Sequence, residues 1–314
     1  MTNQFRILCV IAVLAAGFAS AEAENEVPEK TRVRPTLTEG LHVEGPVIFT
    51  YVDEKHRRRL SLDLYKPADH EGKLPAIVMY FGGGWQNGHP GLFAALAQGL
   101  AQKGYVTIVP DYRLSGEAPF PAPVHDCKAA VRWARANAQR FKIDPDHIAV
   151  MGGSAGGHLA GFVAATNGMQ EFEGQGDHRD QSSQVQAAIV MAGPMNLSDP
   201  VVAERVIQSL ASGVGSPYVD FLGGATPDKN PEVYRKASPL THLSKSMPPA
   251  LFIDGEFDRP KLRYPEFWKK MDELGIKHKF VLMPKGPHPF WVYEAWFKPT
   301  VDVTDGFLRE VWSE

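Results

Sequence analysis

The chain has 314 residues, of which 44% are hydrophobic, and its formal net charge is -3 at pH 7. That hydrophobic content supports a packed core and argues against global disorder. A charge so close to zero lacks the basic footprint of a nucleic-acid-binding protein. The one basic run, residues 55–59, is predicted to be the solvated tip of a hairpin rather than a binding patch.

The N-terminal residues have the pattern of an export signal. Arg6 precedes an apolar run at 7–18, and Ala21-Glu22-Ala23 supplies a small-residue cleavage site. The run is short for a bilayer span, although a short membrane anchor is the alternative. We therefore expect a signal peptide at 1–23, cleavage after Ala23, and a secreted or periplasmic mature protein without a membrane span.

The rest of the chain divides into a linker and one domain. Residues 24–40 are polar with two prolines and are predicted to form a loose linker, which leaves 41–314 as a single domain. Cys127 would be the only cysteine of the mature chain, so no internal disulfide can form. It lies in a helical pattern and is predicted to be buried and inert.

Short apolar runs alternate with helical patterns along this domain. Strands are predicted at 47–51, 60–65, 76–81, 105–109, 148–151, 187–191, 250–253 and 279–282, and helices at 93–103, 123–139, 155–165, 260–274 and 301–312. Such alternation predicts an α/β protein with a mostly parallel sheet covered by helices on both faces. Residues 168–184 are predicted to be an exposed loop, and 200–239 a short insertion near the site.

The strongest chemical signal is Gly152-Gly153-Ser154-Ala155-Gly156. It has the G-x-S-x-G form of a nucleophile elbow, and it lies between a predicted strand and a predicted helix. The helix N-terminus favours developing negative charge beside the serine. Ser154 is therefore the predicted nucleophile, although a glycine-rich turn without chemistry has the same pattern.

A second signal is Phe81-Gly82-Gly83-Gly84-Trp85, directly after an early strand. Glycines let the backbone approach a substrate closely, and backbone amides stabilise an oxyanion when they are held in place before the reaction. The amides of Gly83, Gly84 and Ala155 are the predicted oxyanion donors. A tight strand-to-helix turn is the alternative.

The base and the acid are expected after the last two strands, in the chain order serine, acid, histidine. His288, between Pro287 and Pro289, follows the last strand and is the predicted base, whereas His278 precedes that strand. The loop after 250–253 offers Asp254, Glu256 and Asp258, and Asp258 is the predicted acid.

The alternative for Asp258 is an exposed carboxylate paired with Arg259. His158 is predicted to be a packing residue. The sequence contains no motif for a metal, a dinucleotide or a phosphate, so no cofactor is expected.

Several motifs together resemble the hormone-sensitive-lipase-like esterases of the α/β-hydrolase fold, and within them the BD-FAE-like bacterial carbohydrate esterases. They are Gly-Gly-Gly-Trp at 82–85, Asp-Tyr-Arg-Leu at 111–114, Ala-Ala-Val-Arg-Trp at 129–133, Gly-Ser-Ala-Gly-Gly-His-Leu-Ala at 153–160 and Ala-Ser-Pro-Leu at 237–240. The resemblance covers about residues 60–312. Phe81 departs from it, because histidine is usual there, and a large helical cap is not evident.

The resemblance implies a serine carboxylic-ester hydrolase that acts on acetyl, feruloyl or related esters of plant cell-wall sugars. Its partner would be a small-molecule or polysaccharide ester. A lipase-like general esterase and a non-catalytic binding protein of the same fold are the alternatives. Trp85 and Trp291 either pack the core or form a wall for a short acyl group or a sugar ring.

Overall fold

A computed structural model of the protein describes residues 27–36, 39–53, 58–260 and 263–313. The predicted signal peptide and residues 55–57 of the basic run lie outside the described residues. No described helix is both long and apolar enough to cross a membrane.

One sheet organises the described part of the chain. Its strands follow each other in space as β1-β2-β4-β3-β5-β6-β7-β8. The first two pairings, β1 with β2 and β2 with β4, are antiparallel, and the remaining pairings are parallel. The strands are β1 Leu41–Asp53, β2 Arg58–Pro67, β3 Leu74–Tyr80, β4 Val106–Pro110, β5 Ile143–Gly153, β6 Ala187–Met191, β7 Ala250–Gly255 and β8 His278–Met283. The predicted, mostly parallel sheet is confirmed.

Helices cover both faces of this sheet. They are α1 Ala94–Ala101, α2 Ala122–Ala136, α3 Ala138–Phe141, α4 Ala155–Ala165, α5 Pro200–Ala211, α6 Pro217–Phe221, α7 Pro231–Lys236, α8 Pro239–His242, α9 Pro265–Leu274 and α10 Glu294–Trp312. Helices α1 and α10 contact each other, and α4 contacts α2 and α8. Every residue of β4, β6 and β7 is buried, as expected for parallel strands between two helical layers.

Several helices differ from the predicted boundaries, among them α9, which begins at Pro265 instead of residue 260. The helix predicted at 123–139 is divided at Asn137 into α2 and α3. The last helix begins at Glu294 instead of residue 301, and it contains Pro299. Proline removes a backbone donor from a helix interior. Pro299 therefore led the sequence analysis to place the start of this helix after it, at residue 301. Cys127 is fully buried, and burial raises the pKa of its thiol, as predicted for an inert cysteine.

Part of the segment predicted as a linker is docked on the domain. Arg32 forms an antiparallel bridge with Tyr293, and the amide of Val33 donates to the Val292 carbonyl at 2.9 Å. The amide of Glu294 donates to the Thr31 carbonyl at 2.9 Å. Backbone pairing requires no apolar side chains, so the polar composition of this segment gave no sign of it.

Arg58, one residue of the basic run, has two acidic partners. Arg58 lies 2.7 Å from Glu117 and 3.4 Å from Asp111. These contacts join the start of β2 to the segment after β4.

Candidate active site

Ser154 lies on a strained turn between β5 and α4, with φ 57° and ψ -121°. Its amide donates to the Met191 carbonyl at 2.8 Å. A Cβ on Gly152 would lie 2.1 Å from the Gly156 carbonyl oxygen, and a Cβ on Gly156 would lie 2.0 Å from that of Tyr80. Any larger residue would displace backbone at either position, which is the physical reason for glycine two residues before and after the serine.

Two loops bring His288 and Asp258 to this serine. His288 follows β8, and its Nε2 lies 3.0 Å from Ser154 Oγ. Its Nδ1 lies 3.0 Å from one carboxylate oxygen of Asp258 and 3.3 Å from the other. The Asp258 side chain is 8% exposed and that of His288 is 40% exposed. The three predicted side chains therefore form a continuous line of hydrogen bonds that opens to solvent at the histidine.

Asp254 has a different environment from Asp258. It lies in β7 and is fully buried. One oxygen accepts hydrogen bonds from the Tyr264 hydroxyl at 2.7 Å and the Ala192 amide at 3.0 Å. The other oxygen lies 3.1 Å from Arg263. Burial raises the pKa of Asp254 to about 6, although the charge of Arg263 opposes this rise.

This shift predicts a pH-dependent contribution to stability. Since the folded pKa exceeds the ordinary value of about 3.9, the folded protein binds a proton between about pH 4 and 6 that the unfolded chain has released. The free energy of unfolding should therefore fall as pH rises through this window, by roughly 2–3 kcal/mol from this group. Asp254→Asn removes this titration. As pH rises from about 4 to 6, the free energy of unfolding of the variant, measured by denaturation, should therefore increase by that amount relative to the wild type. If the free energies of unfolding of the variant and the wild type changed in parallel over this pH range, the raised pKa of Asp254 would be contradicted.

Arg263 is a site residue that the sequence did not indicate. It contacts Asp254, and its Nη2 also lies 3.6 Å from Asp258 Oδ1 and 3.3 Å from the Asp258 carbonyl. The sequence alternative paired Asp258 with Arg259, whereas the structure gives this role to Arg263. Its place five residues after the acid and just before α9 carried no recognisable spacing.

The glycine turn lies against the nucleophile. A Cβ on Gly82 would lie 3.1 Å from Ser154 Cβ, and the carbonyl of Gly83 accepts from the amides of the next turn residues, Gln86 and Asn87, both at 3.1 Å. Gly84 and Ala155 line the same cleft as Ser154. Gly83 lies in the same turn, outside the lining of the cleft.

Phe81 anchors this turn in place of the histidine usual in the resembling esterases. Its ring stacks on Tyr112, with centroids 4.3 Å apart and planes 19° from parallel. The Tyr112 hydroxyl donates to the Phe81 carbonyl at 2.8 Å. Both side chains are fully buried. A stacked ring and one backbone hydrogen bond therefore hold the start of the turn.

The two predicted wall residues have different positions. Trp85 is buried and stacks on Phe221 at 4.6 Å, while its remaining surface lines the cleft. Trp291 is also buried, but it packs edge-on to His288 at 5.5 Å and lies against Gly153. It is not part of the lining of the cleft. Trp291 is large enough to fill the space under the His288 loop, so core packing is the role that the structure gives it.

His158 packs behind the site, as predicted. It is fully buried, and its Nε2 lies 2.8 Å from the Ala237 carbonyl. Burial lowers the pKa of His158 to about 4, so the ring stays neutral near neutral pH. Its edge contacts the Trp85 ring at 5.2 Å.

The cleft above Ser154 has a volume of about 230 Å³. Gly84 of the glycine turn and Trp85 form part of its lining, and residues of the insertion that contains α5 and α6 form another part. A larger polar cavity of about 530 Å³, lined in part by Arg132, Glu173 and Arg179, contains none of the three aligned side chains. The smaller cleft is therefore the candidate site, since Ser154, Asp258 and His288 all line it. The described residues include no group of three or more His, Cys, Asp or Glu that could hold a metal ion.

Comparisons with solved structures identify the fold. A truncated carbohydrate esterase from gut microbiota is 25% identical, with a TM-score of 0.73 over 91% of this chain and 99% of that chain. Esterase Est2 of Thermogutta terrifontis with propionate bound is 26% identical, with a TM-score of 0.67 over 89% of this chain and 97% of that chain. The same esterase is also known phosphorylated by paraoxon. These likenesses confirm the predicted α/β-hydrolase fold.

Sequence comparison identifies the family. Esterase LipC of Mycobacterium tuberculosis (strain ATCC 25618 / H37Rv) is 33% identical over 218 residues, which are 65% of this chain and 51% of LipC. The chain thus spans about half the length of the curated relatives it matches. The BD-FAE family model matches residues 62–261, nearly two thirds of the sequence. The chain therefore belongs to the BD-FAE family of α/β-hydrolases.

Proposed function

We propose that the protein is a serine carboxylic-ester hydrolase that cleaves short acyl esters of carbohydrates, of the acetyl or feruloyl type, through an acyl-enzyme on Ser154. The observation that carries the proposal is the line of hydrogen bonds from Ser154 through His288 to Asp258. Ser154 and His288 line a cleft that Gly84 and Ala155 also line. The three groups have the relative positions that nucleophile, base and orienting acid require.

The first half-reaction forms the acyl-enzyme. Nε2 of His288 takes the proton of Ser154 as Oγ bonds to the ester carbonyl carbon, and the carbonyl oxygen becomes an oxyanion. The amides of Gly83, Gly84 and Ala155 stabilise that charge. His288 then gives its proton to the alcohol oxygen as the carbon–oxygen bond breaks, and the alcohol leaves. Asp258 holds the Nδ1–H tautomer and stabilises the imidazolium.

The second half-reaction restores the serine. His288 takes a proton from water, and the water oxygen attacks the acyl carbon. The same backbone amides donate hydrogen bonds to the second oxyanion. The bond to Ser154 Oγ breaks, Oγ recovers the proton from His288, and the carboxylic acid leaves. Both halves use the same groups, so the arrangement needs no metal or cofactor.

Cleft size and relatives support a short acyl group and a sugar. A cleft of about 230 Å³ is small, and ligand sites for larger molecules occupy roughly 300–1,000 Å³. Est2 of Thermogutta terrifontis has been solved with propionate and with butyrate bound. Paraoxon, an organophosphate, phosphorylates it, and such reagents react with activated serines. The gut-microbiota relative is described as a carbohydrate esterase.

The proposal predicts an optimum at short acyl chains. The value of kcat/KM on p-nitrophenyl esters should be highest from acetate to butyrate and lower at octanoate, because the cleft cannot bury a long chain. Each buried methylene would otherwise add about 0.8 kcal/mol to binding. Release of acetate or hydroxycinnamate from esterified sugars should accompany this profile.

The alternatives give different results in the same panel. A lipase-like general esterase would show rates that rise through decanoate, with no release from any sugar ester. A non-catalytic binding protein would hydrolyse none of the esters. Export to an extracellular or periplasmic location is part of the proposal. It is supported by the apolar run at 7–18 and the Ala21-Glu22-Ala23 pattern.

A further inference from the structure

The cleft is lined by more cationic than anionic side chains. Its lining includes Arg205 on α5, and Arg259 and Arg263 after β7. It also includes the carboxylates of Asp199 and Asp258. The lining of this cleft of about 230 Å³ therefore contains three guanidinium groups and two carboxylates.

Both carboxylates and one arginine already have partners. Asp258 contacts His288, and Arg263 contacts Asp254 and Asp258. Asp199 caps α5, because its side chain accepts a hydrogen bond from the Val201 amide at 2.7 Å. A carboxylate at this position is stabilised by the helix amides, and it is correspondingly less available to a cation across the cleft.

Arg205 and Arg259 are the cations that remain. Both are exposed, and neither forms an ion pair within the described residues. They come from two separate elements, one from the insertion and one from the loop that carries the acid. Both line the same cleft, so an anion bound in that cleft would be attracted by two guanidinium groups.

Both arginines line the cleft that Ser154 and His288 also line. Arg259 directly follows Asp258, which contacts His288. Arg205 is close enough to Tyr218 for its charge to act on that side chain, and the Tyr218 ring is 5.4 Å from that of Trp85, which follows the glycine turn. Burial raises the pKa of Tyr218, and the charges of Arg263 and Arg205 oppose that rise. Arg205 and Arg263 therefore act on one side chain of the cleft wall.

The chemistry of ester cleavage places the leaving alcohol on the side of the cleft that contains His288 and Arg259. His288 must protonate the alcohol oxygen as the ester bond breaks, so the alcohol lies on the side of His288. Arg259 belongs to the loop on that side. A guanidinium binds a carboxylate through two parallel hydrogen bonds, a geometry that a neutral hydroxymethyl group cannot match.

We propose that Arg205 and Arg259 form a carboxylate-binding subsite, and that the preferred substrates are short acyl esters of acidic sugars, in which the alcohol carries a carboxylate. This inference rests on the proposed ester hydrolysis and deepens it. The subsite selects among alcohols, whereas the line from Ser154 to Asp258 performs the reaction on any ester that fits.

Two matched sugars test the preference. A monoacetylated methyl galacturonoside and the corresponding methyl galactoside differ by a carboxylate in place of a hydroxymethyl group. We expect kcat/KM for the acidic sugar to be about tenfold higher at low ionic strength, mainly through KM, because ground-state binding of the carboxylate persists in the transition state. The ratio should shrink with added salt, since exposed charges are screened over about 10 Å at 0.1 M.

Variants locate the preference in these two side chains. Arg205→Gln combined with Arg259→Gln should bring the ratio of the two sugars close to one, and each single change should have an intermediate effect. Glutamine keeps most of the side-chain length, and both positions are exposed, so folding should be retained. Arg235→Gln is the matched control, because Arg235 is an exposed arginine outside the lining of the cleft. It should leave the ratio unchanged.

The outcomes separate this inference from the proposed function. Equal rates on the two sugars in the wild type, or an unchanged ratio in the double variant, would overturn the subsite. Turnover of p-nitrophenyl acetate without turnover of either sugar would also overturn it and would leave ester hydrolysis standing. No turnover of any ester would overturn both.

Discussion

Replacing Ser154 with alanine is expected to lower kcat by roughly 10⁴–10⁶-fold, because residues of such a triad act as a unit and only the oxyanion site and binding remain. The structure gives the serine no second role that alanine would abolish, since its amide contact with Met191 is made by the backbone. Alanine at φ 57° carries the same backbone constraint as serine. The fold and the melting temperature should therefore be close to those of the wild type.

Two measurements complete this test. The wild type should be labelled covalently by a fluorophosphonate probe, and the Ser154→Ala variant should not. Ser313→Ala is the matched control, because Ser313 is an exposed serine after the last helix. It should keep full labelling and activity. Activity of Ser154→Ala within about tenfold of the wild type would exclude Ser154 as the nucleophile.

The fold was predictable because its signals are local. Fully buried parallel strands appear as apolar runs, and β6 and α4 were predicted with the boundaries that the structure has. Errors arose where tertiary packing overrides a local rule. The helix α10 continues through Pro299, and residues 31–33 pair through their backbone with 292–294. Neither feature depends on a side-chain pattern.

The candidate site was predictable to the extent that its chemistry dictates spacing. The elbow, the glycine turn and the two loops after β7 and β8 follow from chain order and from the size limits on glycine. The stacking of Phe81 on Tyr112 and the contacts of Arg263 with two aspartates depend on residues distant in the sequence. The position of α5 beside the cleft likewise depends on how the insertion packs, which no periodicity specifies.

The second large effect is expected at Asp258. Changing it to asparagine should lower kcat by roughly 10⁴-fold at neutral pH, because an amide in this place favours the wrong tautomer of the histidine and cannot stabilise the imidazolium. Asp258 is the carboxylate within 3.0 Å of His288 Nδ1, so the loss should be in kcat with little change in KM.

Asp254→Asn is the matched comparison, because the two aspartates lie in one segment and share Arg263. Its oxygens contact Tyr264, Ala192 and Arg263, and it is fully buried. Its replacement should therefore change the pH dependence of stability and lower kcat by less than about tenfold, since its carboxylate bonds Tyr264, Ala192 and Arg263 rather than His288. A larger loss of kcat in Asp254→Asn than in Asp258→Asn would make Asp254 the orienting acid. That result would require the loop after β7 to rearrange so that the buried carboxylate leaves Tyr264 and reaches His288.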